Sequence, residues 1–85
     1  MARVRVLRVL SEDPWKAETV QDIEVDDMAV FTVFDSIMHE YEDVRGYDCR
    51  DYGSASIQLC TKDLGDRIEK IMIGLWLEQM PEVIK

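Results

Sequence analysis

Ile71 to Leu77 reads IMIGLWL, a run of large apolar side chains around one glycine, with no charge among them. A helix apolar all round, as this run would make, has to be covered on more than one side. The cover is scarce. The chain has 85 residues, and a domain of that size buries only about 60–65% of the surface its unfolded form exposes. The rest of it is strongly charged: 18 acidic residues against 10 lysines and arginines give a formal charge of -8. Where the apolar run goes therefore decides the fold and the surface left over.

Helical spacing accounts for it. At 100° per residue, Leu64, Ile68, Ile71, Met72 and Leu75 fall on one side of a helix, enough to dock it on a sheet. Ile73, Leu77 and Met80 form a second stripe about 140° round, with Trp76 between the two. This reading starts a helix at Asp63, with Asp66 in a capping-box position, and ends it at about Gln79 or Met80, before Pro81. It leaves Ile73, Trp76, Leu77 and Met80 as an expected contact surface for a second copy or another partner, since Trp and Met are enriched at such surfaces.

The preceding segments read more plainly. Arg3 to Leu10 alternates at the period of a strand, with Val4 and Val6 inward and Arg3 and Arg5 outward. Ser11 to Lys16 carries turn residues and Pro14, a loop. Glu18 to Val25 alternates again, so a hairpin would set arginines across from acids. Asp26 or Asp27 is placed to cap a helix from Met28 to Arg45. Its stripe is Val30, Phe31, Phe34, Ile37, Met38, Tyr41 and Val44, and Gly46 follows as a stop. Tyr47 to Tyr52 and Ser56 to Thr61 read as two short strands. A three-residue loop sets Cys49 opposite Leu59 and puts Tyr47, Cys49, Ile57 and Leu59 on one face. A four-residue loop sets Cys49 opposite Cys60. The first makes the more coherent apolar face and predicts free thiols.

The expected fold is thus one α+β domain over residues 1–85: a four-stranded antiparallel sheet with two helices on one face, in the order ββαββα.

Composition narrows the function. An apolar fraction of 47% fits a folded protein, and the acidity disfavours direct contact with nucleic acid or anionic membranes. No apolar stretch reaches membrane-spanning length, and the arginine-studded N-terminus lacks the continuous apolar region of a secretory signal. The expected address is cytoplasmic, a host's cytoplasm if the chain is phage-encoded. His39 is the lone histidine, with Asp35 and Asp43 one turn either side, too few converging ligands for a metal site. Cys49 has no histidine near it in sequence. No phosphate-binding glycine pattern occurs, so neither an enzyme nor a cofactor is expected.

Binding to another protein remains. Asp35, Glu40, Glu42 and Asp43 line the polar side of the first helix, with neighbours about 5–6 Å apart, near the spacing of phosphates along a nucleic-acid strand. Such a face suits a basic protein surface, as on a nucleic-acid-binding protein. The expected function is a small acidic inhibitor of the anti-CRISPR or anti-restriction type, assembled as a homodimer. The alternative is a structural or assembly subunit joined to a larger complex by the apolar C-terminal helix.

Overall fold

A computed structural model of the chain describes residues 1–77. Strands β1 (Ala2–Glu12) and β2 (Trp15–Val25) form a long hairpin. One helix follows, α1 (Val30–His39), with a 3-10 turn before it (Asp27–Ala29) and a π turn after it (Glu40–Val44). The chain then returns through β3 (Asp48–Ser54), β4 (Ile57–Asp63) and β5 (Ile68–Leu77). All pairings are antiparallel and the sheet order is β2-β1-β5-β4-β3.

The sheet therefore has five strands rather than four, and the described residues hold one α-helix rather than two. IMIGLWL is not helical. It is the central strand, paired with β1 on one side and β4 on the other. A central strand is covered by neighbours along both edges, so period-2 burial satisfies it: Ile71 and Ile73 are buried to within 1%. The expected helix start at Asp63 is a turn instead. The Gly65 amide donates to the Asp63 carboxylate at 2.9 Å, the Leu64 amide donates to the Arg67 carbonyl at 2.8 Å, and Gly65 sits at φ 98. That left-handed backbone suits glycine and ends β4 rather than starting a helix. The expected helix end at Gln79 or Met80 lies outside the described residues.

The N-terminal reading fares better. Val4 and Val6 are fully buried. Across the hairpin Arg3 meets Asp22 at 2.9 Å and Arg8 meets Glu18 at 2.6 Å. In α1 and its π turn, Val30, Phe34 and Tyr41 are buried, with Val33, Ile37 and Met38 packed beside them, whereas Phe31 and Val44, expected in the same stripe, are exposed at 60% and 74%. They face β1 and β5, and each fully buried side chain of this size contributes roughly 1.5–3 kcal/mol. Asp26 occupies the N-cap position but makes no side-chain cap bond. The last turn widens, the Arg45 amide reaching back to the Glu40 carbonyl at 3.0 Å.

A polar cluster ties that wide turn to the sheet. The Tyr47 hydroxyl donates to Glu69 Oε1 at 2.8 Å, and Arg8 Nε donates to Glu69 Oε2 at 3.3 Å. Tyr41 and Tyr47 meet edge to face at 5.2 Å, and Arg45 lies over the Tyr41 ring. Burial, reinforced by the bond to Glu69, pushes the Tyr47 phenol up to about 12.

The register of β3 on β4 is the other correction. Cys49 stands directly opposite Cys60 and the two are joined in a disulfide, so neither thiol is free. The four-residue alternative was the right one at this end; a register shift between Asp51 and Ser54 then takes up the extra residues of the turn. Because side chains alternate, that one-residue difference moves Ile57 and Leu59 to the face away from Cys49.

Candidate docking face

The helix covers one side of the sheet only. Val4, Val6, Ile71, Ile73 and Cys60 point toward it and are buried. The alternate residues point the other way. On that side a row crosses the sheet, Leu7 opposite Met72, Met72 opposite Leu59, Leu59 opposite Arg50. A second row runs from Arg5 to Gly74 to Ile57. Leu7, Met72, Leu59 and Ile57 are half-buried by shielding one another. Among the described residues no element packs over them.

Trp76 sits at one end of this face. A Cβ built at Gly74 would lie 3.0 Å from Trp76 Cη2, so the indole rests on the bare glycine backbone. The Arg5 guanidinium stacks over the ring, 5.5 Å from its centroid. The absence of a side chain at position 74 is what lets a tryptophan lie flat there.

At the other end is a cleft of about 280 Å³ lined by Val9, Glu12, Trp15, Tyr52, Leu59, Lys70 and Met72. Trp15 comes from the tip of the β1–β2 hairpin and Tyr52 from the end of β3. Both are about half exposed, 51% and 54%. Glu12 and Lys70 form an ion pair at the rim.

Of the residues expected to form an apolar contact surface, Ile73 is fully buried in the core under α1 and is unavailable to a partner. Trp76 and Leu77 remain exposed, at 42% and 37%, but as neighbours on a strand they point to opposite faces. Met80 lies outside the described residues. The stretch expected to present that surface as a helix is a strand, so Ile73, Trp76 and Leu77 do not share one exposed face; among the described residues, exposed apolar side chains lie on the sheet at Trp15, Trp76 and Leu77 and on α1 and its flanking turns at Met28, Phe31 and Val44.

The acidic residues Asp35, Glu40, Glu42 and Asp43 are all exposed, as expected. Two of them are already engaged: Glu40 accepts from Arg45 at 3.3 Å, and Asp43 lies 2.8 Å from His39 Nδ1. Asp35 and Glu42 have no ion-pair or hydrogen-bond partner among the described residues, like Asp13, Glu24 and Asp26. The π turn also breaks the even spacing assumed for a continuous helix, since Glu42 and Asp43 fall within it.

Most of the described basic residues are engaged; Lys16, exposed on β2, has no ion-pair or hydrogen-bond partner among the described residues. Arg3 and Arg5 share Asp22, Arg8 holds Glu18 and Glu69, Arg50 holds Asp48, and Lys62 donates to the Arg45 carbonyl at 2.7 Å. The open face is apolar in its middle and internally neutralised at its edges.

The sequence reading sets Leu59 and Met72 on core-facing stripes and gives Val9 and Tyr52 no place in a site. The clue was the cysteine pair: setting Cys49 against Cys60 turns Leu59 outward. No helix among the described residues is long and apolar enough to cross a membrane. No family model matches this chain, and neither a curated protein nor a solved structure matches it.

Proposed function

We propose that this chain is a small acidic binding protein that docks on another protein through the open face of its sheet. One observation carries the reading: one whole side of a five-stranded sheet, bearing Leu7, Ile57, Leu59, Met72 and Trp76, has nothing packed on it among the described residues. Exposed apolar patches of this kind, rimmed by polar groups, mark interaction sites. Trp76 and Trp15 supply the side chains that most often dominate binding.

The partner's charge follows from the chain's own. The described arginines and Lys70 are tied to carboxylates, and over the whole chain 18 acidic residues outnumber 10 lysines and arginines, for a net charge of -8. Like charge opposes a second copy and favours a basic partner, such as a nucleic-acid-binding protein. Inhibition of such a protein, or assembly with it, uses the same contact.

A second reading keeps the acidic helix face as the contact, favoured by the unpartnered Asp35 and Glu42. It requires the partner to draw Glu40 away from Arg45 and Asp43 away from His39.

Affinity capture from the source cell with matched variants separates the two. The sheet reading expects one protein held by the wild type and by an Asp35→Lys/Glu42→Lys double variant, and lost by both Met72→Arg and Leu59→Arg. Circular dichroism on each variant confirms the fold. Loss with the lysines and retention with Met72→Arg and Leu59→Arg would reverse the assignment.

A further inference from the structure

Resting on the sheet reading, we infer that the cleft between Trp15 and Tyr52 is the anchor point, and that it takes one large apolar side chain of the partner next to a lysine or arginine. Size is the first argument. At about 280 Å³ it falls just below the range of small-molecule pockets, which suits a side chain better than a cofactor. Its lining is the second. The floor is Val9, Leu59 and Met72, and the two walls are aromatic rings. Among the described residues the aromatic pair in contact is Tyr41 with Tyr47, edge to face, so the Trp15 and Tyr52 rings are not packed on each other. Two half-exposed rings facing one cleft without touching leave room between them for an apolar group. Met72 adds an unbranched, polarizable side chain that adapts to the shape of what enters.

Charge sets the neighbour of that anchor. Asp13 stands at the hairpin tip between two lining residues, Glu12 and Trp15, and has no ion-pair or hydrogen-bond partner among the described residues. Glu12 is held by Lys70 alone. Asp13 is not itself part of the lining, but a cation beside the anchoring side chain comes close to its carboxylate, which has no ion pair to give up among the described residues. An acid there meets Asp13 and Glu12 together, with only Lys70 in its favour.

The test uses the full chain, uniformly labelled with ¹⁵N, and three N-acetylated, C-amidated tripeptides: Lys-Phe-Lys, Glu-Phe-Glu and Lys-Ser-Lys. The readout is the indole N–H resonances of Trp15 and Trp76. Lys-Phe-Lys should shift the Trp15 signal saturably with a millimolar dissociation constant, as expected for a single anchor. Glu-Phe-Glu should bind about three- to fivefold more weakly, the scale of one exposed ion pair, and Asp13→Asn should erase most of that difference. Lys-Ser-Lys should leave Trp15 unmoved. Tyr52→Ala, at an exposed position, should weaken Lys-Phe-Lys about tenfold, the scale of a lost aromatic hot-spot contact. Equal response to Lys-Phe-Lys and Lys-Ser-Lys would overturn the cleft as an apolar anchor. Equal response to the lysine and glutamate peptides would overturn the role of Asp13. Shifts at Trp76 with none at Trp15 would overturn the cleft while leaving the sheet face standing. No shift at either ring would overturn the cleft, and the capture experiment with Met72→Arg and Leu59→Arg would still decide the face.

Discussion

The disulfide gives the sharpest test of the structure. Cys49 and Cys60 are separated by 11 residues and close a loop through the β3–β4 turn. In the chain-entropy picture a loop of about 12 residues stabilises the fold by about 3 kcal/mol at room temperature. For a chain of this length total stability is on the order of 4–13 kcal/mol, so the bond is a large part of it. Each 1 kcal/mol corresponds to about 4–8 °C in a domain of this size, so reduction should lower the melting temperature by roughly 12–24 °C. The effect should centre on β3, an edge strand whose only sheet neighbour is β4. Two measurements settle it. Thermal unfolding followed by circular dichroism, with and without excess dithiol reductant, reads the stability. Alkylation of the non-reduced protein followed by mass spectrometry counts thiols. Melting within about 3 °C in both states, against the entropy argument, or two alkylated cysteines in the folded non-reduced protein, would refute the pairing or its weight. Cys49→Ala should match the reduced protein, because it removes the bond while leaving the buried Cys60 in place.

Three further outcomes follow from the packing. Ile73→Ala removes a fully buried side chain from the central strand and should cost about 2–5 kcal/mol in urea unfolding, independent of protein concentration; Leu77→Ala, at 37% exposure, should cost less than about 1 kcal/mol. Tyr47 titrates near 12 in the fold against an ordinary value of 10, so its contribution is fully present below pH 10 and is lost as pH rises from 10 to 12. Tyr47→Phe should flatten that part of the stability-against-pH curve, and tyrosinate absorbance in the wild type should show one late-titrating ring. Gly74→Ala should change stability by less than about 1 kcal/mol, since the gain from restricting the unfolded chain offsets the displaced indole. It should red-shift Trp76 emission, read in a Trp15→Phe background, as the ring lifts off the backbone.

How much of this was legible in the sequence depended on whether one element at a time was enough. The hairpin and the first helix were, because alternation in Arg3–Leu10 and the three-and-four spacing from Val30 to Tyr41 are local signals. IMIGLWL was not. A strand buried between two others reads as a continuous apolar run, and such a run fits a buried helix equally well by periodicity. Two features weighed against the helix. Gly65 and Gly74 both fall inside it, each costing a helix interior up to about 1 kcal/mol, and Ile71 and Ile73 are β-branched at strand spacing. Their true roles, a turn at positive φ and a seat for Trp76, emerge only from the neighbours. The same applies to the cysteines. Local pattern favoured one register and the covalent bond required the other. That single-residue choice decided whether Leu59 faced the core side or the open side, and with it whether the candidate face could be seen.

The geometry also bears on whether the chain's two exposed features act together. Asp35 and Glu42 lie on α1 and its π turn, which cover one side of the sheet; Met72 and Leu59 lie on the opposite side. The body is 20 Å across its smallest extent. At physiological salt the screening length is about 8 Å, so across such a body the helix acids exert little pull on a partner seated on the open face. Attraction from the open side has to come from acids near it, Asp13 at the hairpin tip and Glu24, which pairs with Arg3 in the β1–β2 register. Neutralising Asp13 and Glu24 should therefore slow association with a basic partner and reduce its salt dependence, while Asp35→Asn with Glu42→Gln should leave both nearly unchanged at 0.15 M salt, because the 20 Å body spans more than two screening lengths of about 8 Å. The opposite pattern would place the contact on the helix, and then the uncovered sheet would need a different occupant.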